Sequence, residues 1–360
     1  VPSLTYQELH ARHTDAIRAE VAAALELAGP PGDLLRASCE ELLRRQTMRY
    51  PLSVLPLAVH GAETGDPEPA LPLAVVHLLW WTAACRLDDL ADAEAAASCP
   101  ASAAASPASP VSPASAARQD GTGACAVTGP GAPGHETVLT TLAAGSLLPL
   151  RLLDSPRLPG PVRPALTAEF TSGGLAAVAG QLADLRGGAN GSPRREAVLT
   201  AYRGKSGAPF AMITTMAALL AGAEPDRVRR WRELGTLLGI LWQLFNDQED
   251  IVTGRHEDLR NGTVTHLLAC AAERSSPEEA ARLRLLRAAA RTSPEARGEL
   301  LELLLTGPAL EDFAQDLETY RRLAHALLDR LPGREPYASC LHDLVGQASR
   351  LFLRTPAPVV

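Results

Sequence analysis

Gln243, Asn246, Asp247 and Asp250 stand at i, i+3, i+4 and i+7 after an apolar run that begins at Leu237, so one helical face would carry all four. Carboxylates one turn apart at the end of an apolar helix each lose several kcal/mol of hydration if they are buried without a cation. An oxygen-only donor set of this kind suits Mg²⁺ rather than zinc. A second acidic row lies far upstream, where Leu78 to Leu87 runs into Asp88, Asp89 and Asp92. Asp88 and Asp92 share a face, with Asp89 beside them. Hard divalent ions held by few carboxylates take their remaining ligands from water and substrate phosphate, so the two rows imply one shared site for Mg²⁺ and a diphosphate. Lys205 is the only lysine of the chain, and a compact ammonium is a good point-charge partner for phosphate.

The elements that must hold these residues are helices. Strand-like alternation is nearly absent. Caps, Pro and Gly divide the chain into helices over 5–28, 33–46, 52–61, 69–97, 135–153, 161–186, 194–220, 225–253, 263–272, 277–291, 294–305, 310–331 and 336–354. The expected class is all-α. Residues 98–134 are almost wholly Ala, Ser, Pro and Gly, with Pro100, Pro107, Pro110, Pro113, Pro130 and Pro133 breaking any helix. Such a stretch cannot bury enough apolar surface to offset the entropy of ordering. It is expected to be a flexible insertion in a single domain, 1–360, because both acidic rows must meet.

Composition excludes several classes. The chain has 360 residues, 46% apolar, with a formal charge of −7, and it shows no basic cluster able to form a polyanion groove, which argues against a nucleic-acid partner. Six cysteines are scattered without C-x-x-C spacing, so neither a disulfide framework nor a zinc site is signalled and a reducing cytoplasm is expected. Val1 to Leu25 is mixed polar and apolar, unlike a signal peptide. The longest apolar runs carry Pro, Arg or Asp within a span's length, so no transmembrane helix is expected.

Four landmarks occur in a telling order. Asp88-Asp89-x-x-Asp92 resembles the first aspartate-rich motif of the trans-polyprenyl synthetases, and Gly180-Gln181-x-x-Asp184-Leu185 resembles their G-Q-x-x-D-L helix. Lys205-Ser206-Gly207 is similar to their K-T-G/A element, and Trp242-Gln243-x-x-Asn246-Asp247-x-x-Asp250 to their F-Q-x-x-D-D-x-x-D. The resemblance covers roughly Leu34 to Arg354 and lies within the class I isoprenoid (terpenoid) synthase superfamily. It implies a helical bundle around a deep central cavity, a homodimer, and three Mg²⁺ ions clamping an allylic prenyl diphosphate. Carried over by position, Asp88, Asp89, Asp92, Asn246, Asp247 and Asp250 would hold metal, with Glu249 as a helper. Lys205, Arg255, Gln181 and Gln243 would serve the substrate.

The departures from the family decide the expected reaction. Chain-elongating members hold isopentenyl diphosphate with a G-K-R-x-R-P element, a His seven residues before the first aspartate motif, and an R-R-x-G after it. Here Thr47 to Pro51 offers Arg49 alone, Trp81 stands at the His position, and Ala93 to Ala97 follow the motif. One Arg does not replace the hydration of a second diphosphate. The expected enzyme is therefore a Mg²⁺-dependent terpene cyclase, a lyase that ionises an acyclic prenyl diphosphate and cyclises the cation. Asn246, which terpene cyclases commonly use as a ligand, points the same way. So do Trp80, Trp81, Phe210 and Trp242, whose ring faces could stabilise a cation by about 0.5 to 2 kcal/mol each. Ala83 and Ala84, five and four residues before Asp88, leave room for a long chain, so C20 is expected first and C15 second. The alternatives are a prenyltransferase, as polyprenyl diphosphate synthase or with an unusual acceptor, and a non-catalytic partner subunit.

Overall fold

Thr5 with Glu8 and Ser276 with Glu279 form reciprocal capping boxes, while Thr265 and Ser293 cap through one hydrogen bond each. The computed structural model describes residues 4–29, 32–45, 52–97, 134–187, 193–331 and 333–353, with 92–97 and 187 described by their backbone alone. In chain order the helices are α1 (Tyr6–Leu25), α2 (Asp33–Arg45), α3 (Leu55–Thr64), α4 (Leu71–Ala97), α5 (His135–Leu142) and α6 (Leu148–Leu153). There follow α7 (Arg163–Gly187), α8 (Arg195–Tyr202), α9 (Ala208–Leu220), α10 (Pro225–Val252) and α11 (Glu257–Asn261). The chain continues through α12 (His266–Arg274), α13 (Pro277–Ala290), α14 (Pro294–Thr306), α15 (Pro308–Leu328) and α16 (Tyr337–Ala348). No strand occurs among the described residues, and the all-α class holds.

The bundle closes around α9, which is buried along most of its length from Pro209 to Ala218 and packs against α7, α10 and α3. One cluster of buried side chains runs from Leu4 to Leu353. Two rods expected to be continuous are not regular throughout. π-Helical turns at Ala143–Leu147 and Arg203–Gly207 join α5 to α6 and α8 to α9. The second of these turns contains Lys205, in keeping with the tendency of π turns to occur at functional sites. Helix α11 was not expected: it is too short to show periodicity, and its fold-back depends on left-handed backbone at Gly254 and at His256 (φ 51°).

Residues Glu68–Ala91 differ from expectation as well, since by length and composition they could cross a membrane. More than half of that window is buried inside the bundle, and Arg86, Asp88 and Asp89 fall in its last turns, so it reads as a core helix. The expected insertion lies, Gly134 apart, outside the described residues, as does Arg49.

Candidate active site

Close backbone contact brings the motifs together. A Cβ on Gly180 of α7 would stand 2.2 Å from the Lys205 amide nitrogen, and one on Gly239 of α10 would stand 2.3 Å from the Ser206 carbonyl oxygen. The Arg203–Gly207 turn is thus pressed between two glycines on two helices. This aims Lys205 at α7 and α4, where its Nζ lies 3.0 Å from Asp184 Oδ2 and 3.5 Å from Asp88 Oδ2. Gln181, one turn before Asp184, donates to Asp88 Oδ1 at 2.5 Å. Ser206 donates to Gln243 Oε1 at 2.8 Å. Three motifs therefore meet at one ammonium, and the fourth is tied in behind it.

On α10, Asp247 and Asp250 are buried while Gln243, Asn246 and Glu249 are half-buried. Asp247 accepts from Gln243 Nε2 at 3.1 Å and from the buried Tyr202 hydroxyl at 2.5 Å. The backbone N–H of His266 reaches the same Tyr202 oxygen at 3.1 Å. Both oxygens of Asp250 accept backbone N–H groups, from Glu257 at 3.0 Å and Asp258 at 3.2 Å. Asp250 is thus also the cap that folds α11 back over the site, though a carboxylate keeps lone pairs for a further ligand. Arg255 sits at the rim, half-exposed, 3.8 Å from both Asp250 and Glu257. Asp89 is half-exposed beside Arg86 at 3.7 Å. The Asp92 side chain lies outside the described residues.

Sequence reasoning missed Tyr202, Asp258 and His266. Tyr202 stands one turn before Lys205, a spacing that could have marked it. Asp258 enters only through the fold-back, which no periodicity announces.

Around Lys205 the charge is in excess on the negative side: Asp88, Asp184 and Asp258 act on its ammonium, and Asp247 and Asp250 lie against Asp258 in turn. Burial alone would lower the Lys205 pKa, but Asp88 and then Asp184 hold it above its usual value. Burial, then repulsion from Asp247 and Asp250, drives the Asp258 carboxyl well above the carboxylate range. Asp247 is pushed up to about 6 by burial, against the hydrogen bonds from Tyr202 and Gln243. An acidic, oxygen-only site short of positive charge fits a hard divalent cation, with Asp88, Asp247, Asp250 and Asp258 as the nearest carboxylates.

This excess makes a pH prediction. The folded pKa of Asp247 lies above the ordinary value, so the stability lent by its proton is full below about pH 4 and lost as pH rises through about 6. Without metal, Asp247→Asn should therefore raise stability by about 2 to 3 kcal/mol at pH 7.5 and by little at pH 4. Thermal melts of both proteins in chelator check this. Equal midpoints at pH 7.5 would refute it.

Trp81, Phe210 and Trp242 are brought into one aromatic file. Trp81 meets Phe210 edge-on at 5.5 Å, Phe210 lies 6.2 Å from Trp242, and Trp242 stacks on Phe245 at 5.5 Å. Ala83 does not open onto a chain pocket, because it is buried against the turn at Gly145, where a Cβ would come within 2.9 Å of its own. Ala84 of that pair is half-buried. An open depression between Asp154 and the first turns of α7 at Arg163, Thr167 and Thr171 is lined by none of the expected site residues. The converging charged groups mark the candidate site, since hard cations need polar ligands rather than a wide hollow.

Comparison with known proteins bears on the family and the fold. Residues 141–304 match the family model described as polyprenyl synthetase. A nonaprenyl diphosphate synthase of Mycobacterium tuberculosis (strain ATCC 25618 / H37Rv) is 30% identical over 181 residues, 47% of this chain and 53% of that relative. The chain thus spans about half the length of the curated relative it matches. Geranylgeranyl pyrophosphate synthetase from Pyrococcus horikoshii Ot3 superposes with a TM-score of 0.74 at 18% identity, over 96% of this chain and 99% of that one. A polyprenyl synthase from Caulobacter crescentus CB15 gives 0.72 at 19% identity, over 97% and 98%. The match to the polyprenyl synthetase model is confined to residues 141–304, and the described chain shares the all-α isoprenoid synthase fold of these solved synthases.

The expected terpene cyclase is corrected by these matches, and the lyase class with it. The matched family and relative are prenyl diphosphate synthases. The cyclase reading weighted local features: the departures at Arg49, Trp81, Ala93 to Ala97 and Asn246, and the aromatic rings near the motifs. The matched segment carries the G-Q-x-x-D-L helix, the lysine turn and the second acidic row.

Proposed function

We propose that the chain is a prenyltransferase of the chain-elongating kind, a polyprenyl diphosphate synthase acting on an allylic prenyl diphosphate with Mg²⁺. The observation that carries this reading is the meeting of Asp88, Gln181, Asp184 and Lys205 within hydrogen-bond or ion-pair reach. A solved geranylgeranyl pyrophosphate synthase from Corynebacterium glutamicum, with a TM-score of 0.69, 20% identity and 93% of this chain covered, is complexed with isoprenyl diphosphate and magnesium, which supports the choice of metal. Asp88, Asp89, Asp92, Asn246, Asp247 and Asp250 would hold the ions, with Asp258 added to that set. When bound, Mg²⁺ supplies the positive charge that stabilises a leaving diphosphate.

The remaining work falls to the chain's own groups. Lys205 would meet diphosphate oxygen with an ammonium kept protonated by Asp88 and Asp184. Gln181 and Tyr202 orient Asp88 and Asp247, so their carboxylates need little rearrangement on binding. Trp81, Phe210 and Trp242 would exclude water and present ring edges and faces to the prenyl chain. The allylic C–O bond breaks with its electron pair leaving on the diphosphate, the alkene of the acceptor supplies the pair for the new C–C bond, and a proton is lost.

The single buried cluster supports treating the chain as one isoprenoid synthase domain. A homodimer is supported by Leu175, Val178, Leu182 and Leu185, which expose one apolar face of α7, and a monomeric mass in light scattering would count against it. The cytoplasm suits the buried thiols Cys39, Cys270 and Cys340. Elongation is tested by supplying radiolabelled isopentenyl diphosphate with C10, C15 and C20 allylic diphosphates and Mg²⁺. The expected label appears in prenyl diphosphates longer than the primer. Unlabelled hydrocarbon released with no incorporation would remove the proposal.

A further inference from the structure

We propose that His266, Cys270 and Asp316 form a binding site for one borderline divalent transition metal of the Zn²⁺ type, separate from the acidic rows. His266 and Cys270 lie one turn apart on α12, and Asp316 reaches them from α15. Their ligand atoms, one from each residue, all lie within 4.8 Å of one another, and His266 Nε2 is 2.9 Å from Asp316 Oδ2. Donor atoms around a tetrahedral zinc stand about 3.3 to 3.7 Å apart, so the trio needs only a small adjustment. Asp316 can make it, because its side chain is 31% exposed, whereas His266 and Cys270 are wholly buried. The exposed side of Asp316 also leaves a fourth position for water. A thiol and an imidazole make this donor set softer than the oxygen-only rows, which separates its metal preference from theirs.

Three further observations point to a cation here. The surrounding charges are Arg195 and Arg274 against Glu273, Asp312 and Asp316, an excess of one negative charge, which a divalent ion with one thiolate would cancel. His266 Nδ1 is buried without a hydrogen-bond partner, while Nε2 is hydrogen-bonded to Asp316 and the ring packs on Phe313 at 5.9 Å. Burial, then the charge of Asp316, pushes the Cys270 thiol up to about 12, so the group is neutral until an electrophile draws off its proton. A nucleophilic role for Cys270 is disfavoured by the same burial. An ion at this site would also brace the start of α12, whose His266 N–H contacts Tyr202 and Asp247 at 3.1 and 3.4 Å.

The site does not depend on the proposed reaction, and its test needs no turnover. Protein stripped with chelator is supplied with excess Mg²⁺ to occupy the acidic rows and then titrated with Co²⁺. One Co²⁺ per chain should bind with thiolate-to-cobalt charge-transfer absorption, which Zn²⁺ should erase. Cys270→Ser should abolish that absorption, and Asp316→Asn should weaken binding at least tenfold. Absence of the band in the wild type, or its persistence in Cys270→Ser, overturns the site. Should Cys270→Ser lose its helical circular dichroism, Asp316→Asn decides: unchanged Co²⁺ affinity in that folded variant overturns the site equally.

Discussion

Asp247→Asn is expected to lower turnover by about 10³-fold or more, a barrier increase of about 4 kcal/mol, in a protein that still folds. Asn keeps an oxygen to accept from Tyr202 and so leaves the buried phenol satisfied, but it carries no charge to hold a divalent ion. Steady-state diphosphate release at saturating Mg²⁺ reads the effect. Turnover within tenfold of wild type would remove Asp247 from the metal set. The same substitution stabilises the metal-free protein at pH 7.5, so lost activity and gained stability should appear together. General damage to the fold would lower both.

Gly180→Ala should have the second-largest effect. The added methyl would meet the Lys205 nitrogen at 2.2 Å and the Gly204 carbonyl carbon at 2.4 Å, backbone atoms that no rotamer change can move. Overpacking usually costs about 1 to 3 kcal/mol, and against backbone on both sides the upper end is expected, with a thermal midpoint lowered by on the order of 5 °C. Turnover should fall with it, because separating α7 from the Arg203–Gly207 turn takes Lys205 away from Asp184 and Asp88. Gly298→Ala, on α14 with nothing near its would-be Cβ, is the control and should be neutral or stabilising. If Gly180→Ala melts and turns over like Gly298→Ala, the close approach of α7 to the lysine turn does not position the site.

Much of this architecture is readable from local rules. The helix starts at Thr5, Ser276 and Ser293 follow from side chains that satisfy the first free N–H groups, and Pro225, Pro277 and Pro294 mark first turns where no donor is needed. The acidic rows were legible because carboxylates at helical spacing on an apolar run lose hydration that a bound cation restores. The π turn at Arg203–Gly207 was not legible, since it is imposed by glycines on α7 and α10 that are distant in sequence. Asp258 and the capping role of Asp250 depend on the left-handed His256 and on tertiary fold-back, which leave no periodic trace. The reaction class was misread for a different reason. A shortage of Arg and Lys near Arg49 describes one subsite, and it was given more weight than the connected synthase segment that the motifs themselves define.

The central claim is that the two acidic rows and Lys205 form one diphosphate site that works through a divalent cation. Titration calorimetry with a non-ionisable allylic thiodiphosphate, in Mg²⁺ and again in chelator, tests it most directly. The account predicts measurable binding in Mg²⁺ that falls at least a hundredfold in chelator and is lost in Asp247→Asn. Equal affinity with and without Mg²⁺, or binding unaffected by Asp247→Asn, would contradict it.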